Sequence, residues 1–263
     1  VYIDTSAYTR VPRRGVSNGC LIGNGGANAP QKFWLFRPSG DNWDLIRSGS
    51  DLKNSLTDWF TQRYAEQVLC FNTGASENGN VEITDEIPIP PCNGKNTNFF
   101  VSADPVVSID DVRLVVNGTE YDLPAGGYDY DATVVDGEYT GEIVLNEAPQ
   151  RRSKIYVDYT MDALSAAFRD IVSDDVALVM LAGETDIDNL RRLVNHLDLA
   201  CASWRFRIGV GMLEQGQDLT GDYLEYPSLL ASENMILVSH NSEDDAAAGF
   251  AGYVSSLKPW QDP

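Results

Sequence analysis

Histidine and lysine are scarce in this chain, with two and five copies in 263 residues. No cysteine pair has metal-ligand spacing, and no apolar run is long enough for a membrane span. Each shortage closes a class of function. Cys20, Cys70, Cys92 and Cys201 stand far apart with no CxxC pair, so neither a zinc site nor a disulfide framework is supported. Cys70 and Cys201 lie in apolar surroundings and read as small buried hydrophobes. Residues 1–12 lack the charged start and apolar centre of a signal peptide. The sequence begins at Val1, so an initiator methionine has been removed or the segment is incomplete. No Gly-x-Ser-x-Gly elbow supplies a nucleophile, and no P-loop or GxGxxG spacing supplies a phosphate cradle.

Acid is what the chain has in excess. It carries 39 acidic against 19 basic residues, a formal charge of −20. The choice within each class is skewed: 26 Asp to 13 Glu, and 14 Arg to 5 Lys. Dispersed acidity with little lysine keeps a surface hydrated in molar salt, where screening removes the self-repulsion felt in dilute buffer. This composition points to a halophilic source. The acids are spread along the chain, which argues against a disordered acidic tail. Nucleic-acid binding is disfavoured, because no basic patch offsets repulsion from phosphates.

The hydrophobic pattern gives an α/β chain interrupted by an all-β block. Gly19–Gly23 reads as a short buried strand, followed by the loose loop from Asn24 to Pro30. Asp51 is expected to cap a helix whose inner face is Leu52, Leu56, Trp59 and Phe60, and Gln67–Phe71 then supplies a strand. From Val81 to Thr160 the pattern is β only. Val112–Val116 and Thr119–Leu123 flank Asn117-Gly118, a dipeptide that accepts positive φ at both centres of a type I′ turn. Gly126–Tyr130, Gly141–Leu145 and Lys154–Tyr159 are further strand-like runs. Helical spacing resumes at Met161–Ile171, and Val176–Leu181 has the continuous apolar run of a central parallel strand. Thr185–Trp204 is a long helix capped by Thr185 or Asp186, with Ile187, Leu190, Leu193, Val194 and Leu197 inward. Strands at Arg207–Met212 and Asn234–Ser239 and a closing helix at Glu243–Leu257 complete the chain. The expected fold is α/β: a three-layer wall domain with an inserted, hairpin-rich antiparallel domain. The expected boundaries are an extended arm over residues 1–12, a discontinuous α/β domain over 13–77 and 161–263, and the β-domain over 78–160.

Few residues compete for a chemical role. His196, near Asp198, reads as a surface or half-buried helical residue. His240 ends a strand, a position that can be catalytic in α/β folds, but it has no nucleophile to serve. Asn24-Gly25-Gly26 reads as a plain turn. Asp129, Asp131 and Asp136 alternate around a hairpin where a hard cation could sit, but in a chain with this much Asp a solvated turn is the simpler account. Trp204 and Trp260 read as core or interface anchors. No catalytic, cofactor or metal residue is expected, and the chain reads as a building block rather than an enzyme.

The order of these segments resembles the contractile-tail sheath proteins of myovirus tails and related injection machines. The resemblance rests on the strand Gly19-Cys20-Leu21-Ile22-Gly23, the Gly/Pro loop Gly25–Pro30 and the segment Phe36–Arg47. It continues with the helix and strand over Leu52–Phe71 and an inserted β-domain over Asp111–Thr160. Downstream it includes Asp175–Val179, Asn234–Ser239 and the small-residue helix Ala246–Gly252, with Pro259-Trp260. The resemblance implies a structural subunit of a virion tail sheath, assembled in the host cytoplasm and, given the acidity, from a haloarchaeal virus. Identical subunits would form helical rings around a tail tube protein, between baseplate and tail terminator proteins. Contraction would drive the tube through a target envelope without cofactor, nucleic acid or membrane insertion. Residues 1–12 would be the linking arm, with Tyr2, Ile3 and Val11 as intersubunit contacts, and the β-domain would project outward as decoration. Sheath proteins usually continue into a further domain, whereas this sequence stops at Pro263. A sheath-like cap, terminator or baseplate protein is therefore the alternative.

Overall fold

The computed structural model describes residues 18–62, 65, 67–74, 80–102, 105–135, 138–217, 226–230 and 232–256. The chain divides into two compact units, Val1–Ala75 with Ile171–Pro263, and Ser76–Asp170. One is built of strands and helices, the other almost wholly of strands.

The α/β unit is organised by a six-stranded sheet. Its strands are β1 (Gly19–Gly23), β2 (Lys32–Leu35), β3 (Val68–Asn72), β11 (Leu178–Leu181), β12 (Ile208–Met212) and β13 (Met235–Val238), in the order β13-β12-β11-β1-β3-β2. All neighbours are parallel except β2, which pairs antiparallel with β3 at the edge. β1, β3 and β11 are buried nearly throughout, as strands covered on both faces must be. Leu21, Val68, Cys70, Leu178, Met180, Val210 and Met212 share a core with helix α2 (Asp51–Thr61) and helix α6 (Ala246–Ser256). Gly209 and Gly211 alternate with Val210 and Met212, and they face Leu190, Leu193 and Leu197 of helix α4 (Ile187–Ala202). Burial of Leu52, Leu56 and Trp59 on α2 contributes about 2 kcal/mol each to holding that helix on the sheet.

Trp59 fits because two neighbours lack a Cβ. A Cβ at Gly19 would fall 2.3 Å from the indole ring, and one at Gly252 would fall 2.7 Å from the Trp59 carbonyl oxygen. The run Ala247, Ala248, Ala251, Gly252, Ser255 thus lets α6 approach α2 closely.

Several boundaries differ from the sequence reading, each for a local reason. Ser50, not Asp51, caps α2: its Oγ accepts the Lys53 N–H, and Asp51 opens the first turn. Asp186 caps α4 by accepting from the N–H groups of Asp188 and Asn189. The expected helix start at Met161 is strand: β10 (Lys154–Asp162) keeps its alternation through buried Met161, and helix α3 (Ala163–Ile171) begins only where Asp162 accepts from Leu164 and Ser165. The strand β2, the short helix α1 (Asp41–Leu45) and the single-turn helix α5 (Tyr226–Leu229) lie outside the strands and helices expected from the sequence.

The β unit holds two antiparallel sheets. The first orders β4 (Asn80–Glu86), β10, β6 (Ser108–Val116) and β7 (Thr119–Asp122) as β4-β10-β6-β7, and the second orders β5 (Asn98–Phe100), β9 (Glu138–Leu145) and β8 (Tyr130–Val135) as β5-β9-β8. β6 and β7 turn at Asn117 (φ 52°) and Gly118 (φ 84°), as that dipeptide demands. Gly126 and Gly127, read as the start of a strand, are instead a turn with φ of 64° and 87° before β8.

Candidate functional site

In an open parallel sheet, ligands bind beyond the carboxyl ends of the strands where the strand order reverses. Here that point lies between β1 and β11, since the chain goes from β1 to β3 on one side and returns to β11 on the other. The loops that meet there are occupied by the protein's own side chains. Asn72, 1% exposed at the end of β3, uses all of its amide. Its Oδ1 accepts from the N–H groups of Gly25 (2.7 Å) and Gly74 (3.0 Å), and its Nδ2 donates to the carbonyls of Gly26 (2.8 Å) and Ala29 (2.9 Å). The Gly26 N–H is taken by Asn24 Oδ1. Asn24-Gly25-Gly26 is therefore a turn pinned by Asn72, and the amide donors a phosphate would need are already bonded.

A second hub closes the other side. Asp245 Oδ2 accepts from Gly183 N–H (2.9 Å) and from Ser55 Oγ, while Oδ1 accepts from Ala248 N–H (2.9 Å) and caps α6. Its own N–H donates to Asp58 Oδ2 (2.8 Å). Burial pushes the Asp58 carboxyl up, the Asp245 N–H pulls it down, and the charges of Asp244 and Asp245 push it up again. A Cβ at Gly23 would stand 2.4 Å from Ala182 Cβ, so β1 and β11 end with no gap between them.

Beside the Gly26 turn is a cavity of about 470 Å³, lined by Gly26, Asp44, Ile46, Arg47 and Lys53 among others. Lys53 is already engaged. Its ammonium donates to the Trp43 carbonyl and sits 3.7 Å from the centroid of the Trp43 ring. Burial lowers its pKa, opposed by Asp44.

The residues weighed from the sequence fall as follows. Tyr2, Ile3, Val11, Asp136 and Trp260 lie outside the described residues. His196 is buried, not at the surface or half-buried: its Nε2 is 2.8 Å from Arg207 Nη1. Desolvation, then the Arg207 charge, lowers the His196 pKa to about 4, so the ring is neutral and accepts the guanidinium hydrogen. Arg207, 2% exposed, also donates through Nη2 to the carbonyls of Ile171, Val172 and Asp174. His240 has both ring nitrogens on backbone carbonyls, Leu213 O at 3.0 Å and Ser242 O at 3.1 Å, and braces two loops. Asp129 Oδ1 accepts the neighbouring Tyr130 N–H. Among the described residues no group of His, Cys, Asp and Glu is arranged to hold a metal. Cys20 and Cys70 are buried, whereas Cys201 is half-buried on the last turn of α4. Trp204 is 84% exposed and packs edge-on against Phe206, itself exposed, so it is not a core residue.

Sequence reading missed three charged arrangements in the β unit. Arg113 meets the carboxylates of Asp85, Asp111, Glu120 and Asp158, and Asp85 first, then Asp158, hold its pKa above the usual range against its desolvation. Glu86 gathers Tyr159 (2.7 Å), Arg169 (2.9 Å) and the Ser102 N–H (2.6 Å). The third is a set of exposed cations, Lys95, Arg151, Arg152 and Lys154, whose side chains make no ion pair among the described residues.

No family model matches the chain, and no curated protein matches it. Among solved structures it is similar to the sheath tail protein of Desulfitobacterium hafniense, with 11% identity and a TM-score of 0.42, over 97% of this chain and 61% of that one. The chain thus spans less than two thirds of that protein's length. No helix of the described residues is long and apolar enough to cross a membrane.

Proposed function

We propose that the chain is a structural subunit of a contractile tail sheath, polymerising helically around an inner tube and contracting to drive it through a target envelope. One observation carries the reading. A parallel α/β unit is interrupted between β3 and β11 by an antiparallel β unit, the layout on which the sequence resemblance rests. A second observation agrees with it: the crevice at the strand-order reversal is filled by Asn72 and Asp245, which suits a wall element better than a ligand site. On this reading the α/β unit is the three-layer wall domain, the β unit is its decoration, and residues 1–12 link neighbours. Its partners would be further copies, a tail tube protein, and baseplate and terminator proteins, in a virion. Catalysis plays no part.

Electron microscopy of the purified protein in molar KCl tests this. Regular hollow tubes support the sheath. Single rings or dispersed monomers would overturn the polymer and favour the cap, terminator or baseplate alternative. The acidity is read as adaptation to salt, so the unfolding temperature should rise between dilute buffer and molar KCl as the self-repulsion of −20 charges is screened. A fall over that range would count against a halophilic source.

A further inference from the structure

We propose that the β unit carries a docking tip for a second copy of this chain, which it grips by the acid-rich carboxyl rim of the α/β unit. The tip is Lys95, Arg151, Arg152 and Lys154. Two loops distant in sequence bring these residues together. The Arg152 N–H donates to Cys92 O, and a Cβ at Gly94 would lie 3.6 Å from Arg151 N. The loop bearing Lys95 is thereby laid on the loop bearing the arginines. Lys154 opens β10, opposite Val115 on β6 and next to the Asn117-Gly118 hairpin tip, where Asn117 Nδ2 donates to Gln150 Oε1.

Topology places this cluster at a free end of its sheet. Lys154 pairs with Val115 at one end of the β10 ladder, whereas Asp162 pairs with Asn80 at the other, where the chain enters and leaves the unit. Other cations of the β unit are already paired: Arg113 has four carboxylates and Arg169 has Glu86. In a chain with twice as many acids as bases, four neighbouring cations without a carboxylate leave a local field of the opposite sign to the rest.

Charge complementarity identifies the occupant. Every other copy of this chain is a polyanion of −20. Acids without cationic partners gather at the carboxyl rim of the parallel sheet. There Asp245 joins Gly183, Ser55 and Asp58, Asp51 packs against Gly183, and Glu243 and Asp244 stand exposed beside them. Asp51, Asp58, Glu243 and Asp244 make no ion pair among the described residues. Tip on rim is a heterologous contact, and such contacts repeat into open arrays or rings rather than closing as a symmetric dimer. The contact rests on the reading above only in requiring a second copy.

Charge reversal tests it directly. The tip variant is K95E/R151E/R152E/K154E and the rim variant is D51K/E243K/D244K, with self-association read by sedimentation velocity and folding checked by circular dichroism. Each variant alone should associate about tenfold or more weakly than the parent at the same KCl concentration. Mixing the two should restore association, because each then offers the other a complementary partner. The neutral variant R151Q/R152Q, with the expected intermediate effect, serves if a reversal variant fails to fold. Association unchanged by reversal, or not restored on mixing, overturns the contact. Heparin binding that needs the tip, with self-association unaffected, overturns it in favour of an anionic polymer. Normal tubes from the tip variant would sink this contact and leave the sheath reading intact, whereas a parent that never associates would sink both.

Discussion

Lowering the pH should weaken the α/β unit through one residue, His196. The ring accepts a hydrogen from Arg207, whose guanidinium also holds the carbonyls of Ile171, Val172 and Asp174, and both residues are buried. A proton on His196 would set two buried cations 2.8 Å apart, where screening is weak. Its folded pKa of about 4 lies below the ordinary value of 6.5, so the unfolded chain binds the extra proton first. The stabilisation is therefore fully present above about pH 6.5, and it is lost as pH falls toward 4. Between about pH 7 and pH 4.5 the loss is on the order of 2 kcal/mol, from the roughly 1.4 kcal/mol carried by each pKa unit. Carboxylates titrate over the same range, so the comparison needs a variant. His196→Gln cannot titrate and still offers an oxygen to Arg207. Urea unfolding at fixed molar KCl, followed by tryptophan fluorescence, isolates this unit, because no tryptophan falls within residues 76–170. The parent should lose on the order of 2 kcal/mol more than the variant over that pH range, a midpoint difference of about 1 M urea. Equal pH dependence in the two proteins would refute the buried pair.

Three further outcomes follow from particular contacts. Gly252→Ala places a methyl 2.7 Å from the Trp59 carbonyl and should cost about 1–3 kcal/mol by forcing α6 off α2, measured by the same urea unfolding. Asn72→Ala leaves the Gly25 and Gly74 donors and the Gly26 and Ala29 acceptors without their partner, and it should cost on the order of 3 kcal/mol and speed hydrogen exchange in the turn after β1. Cys20, its thiol pushed up to about 12 by burial, and Cys70 should resist thiol reagents in the native state and react only with unfolding; mass spectrometry after brief labelling reads this residue by residue.

Local chemistry was legible in the sequence wherever it acts over a few residues. The Asn117-Gly118 turn, the run Val176–Leu181 that holds β11, and a cap at Thr185 or Asp186, which the structure places on Asp186, each declare themselves within a window shorter than a helix. The edge strand β2 did not, because Lys32–Leu35 is a short stretch whose alternation has meaning only once β3 lies beside it. His196 read as half-exposed because its partner Arg207 sits eleven residues on, beyond the helix end, and nothing local marks the pair. Asn72 and Asp245 were silent for the same reason: their bonds reach back 47 and 190 residues. The basic tip joins the loop around Lys95 to Arg151–Lys154, so composition alone diluted it into an acidic chain.

Deleting residues 1–12 and imaging the parent and truncated proteins side by side in molar KCl tests the central claim most directly. A sheath whose subunits are linked by that arm predicts regular tubes from the parent and none from the truncated protein. Monomers or single rings from both would contradict a polymer and leave a cap or baseplate role.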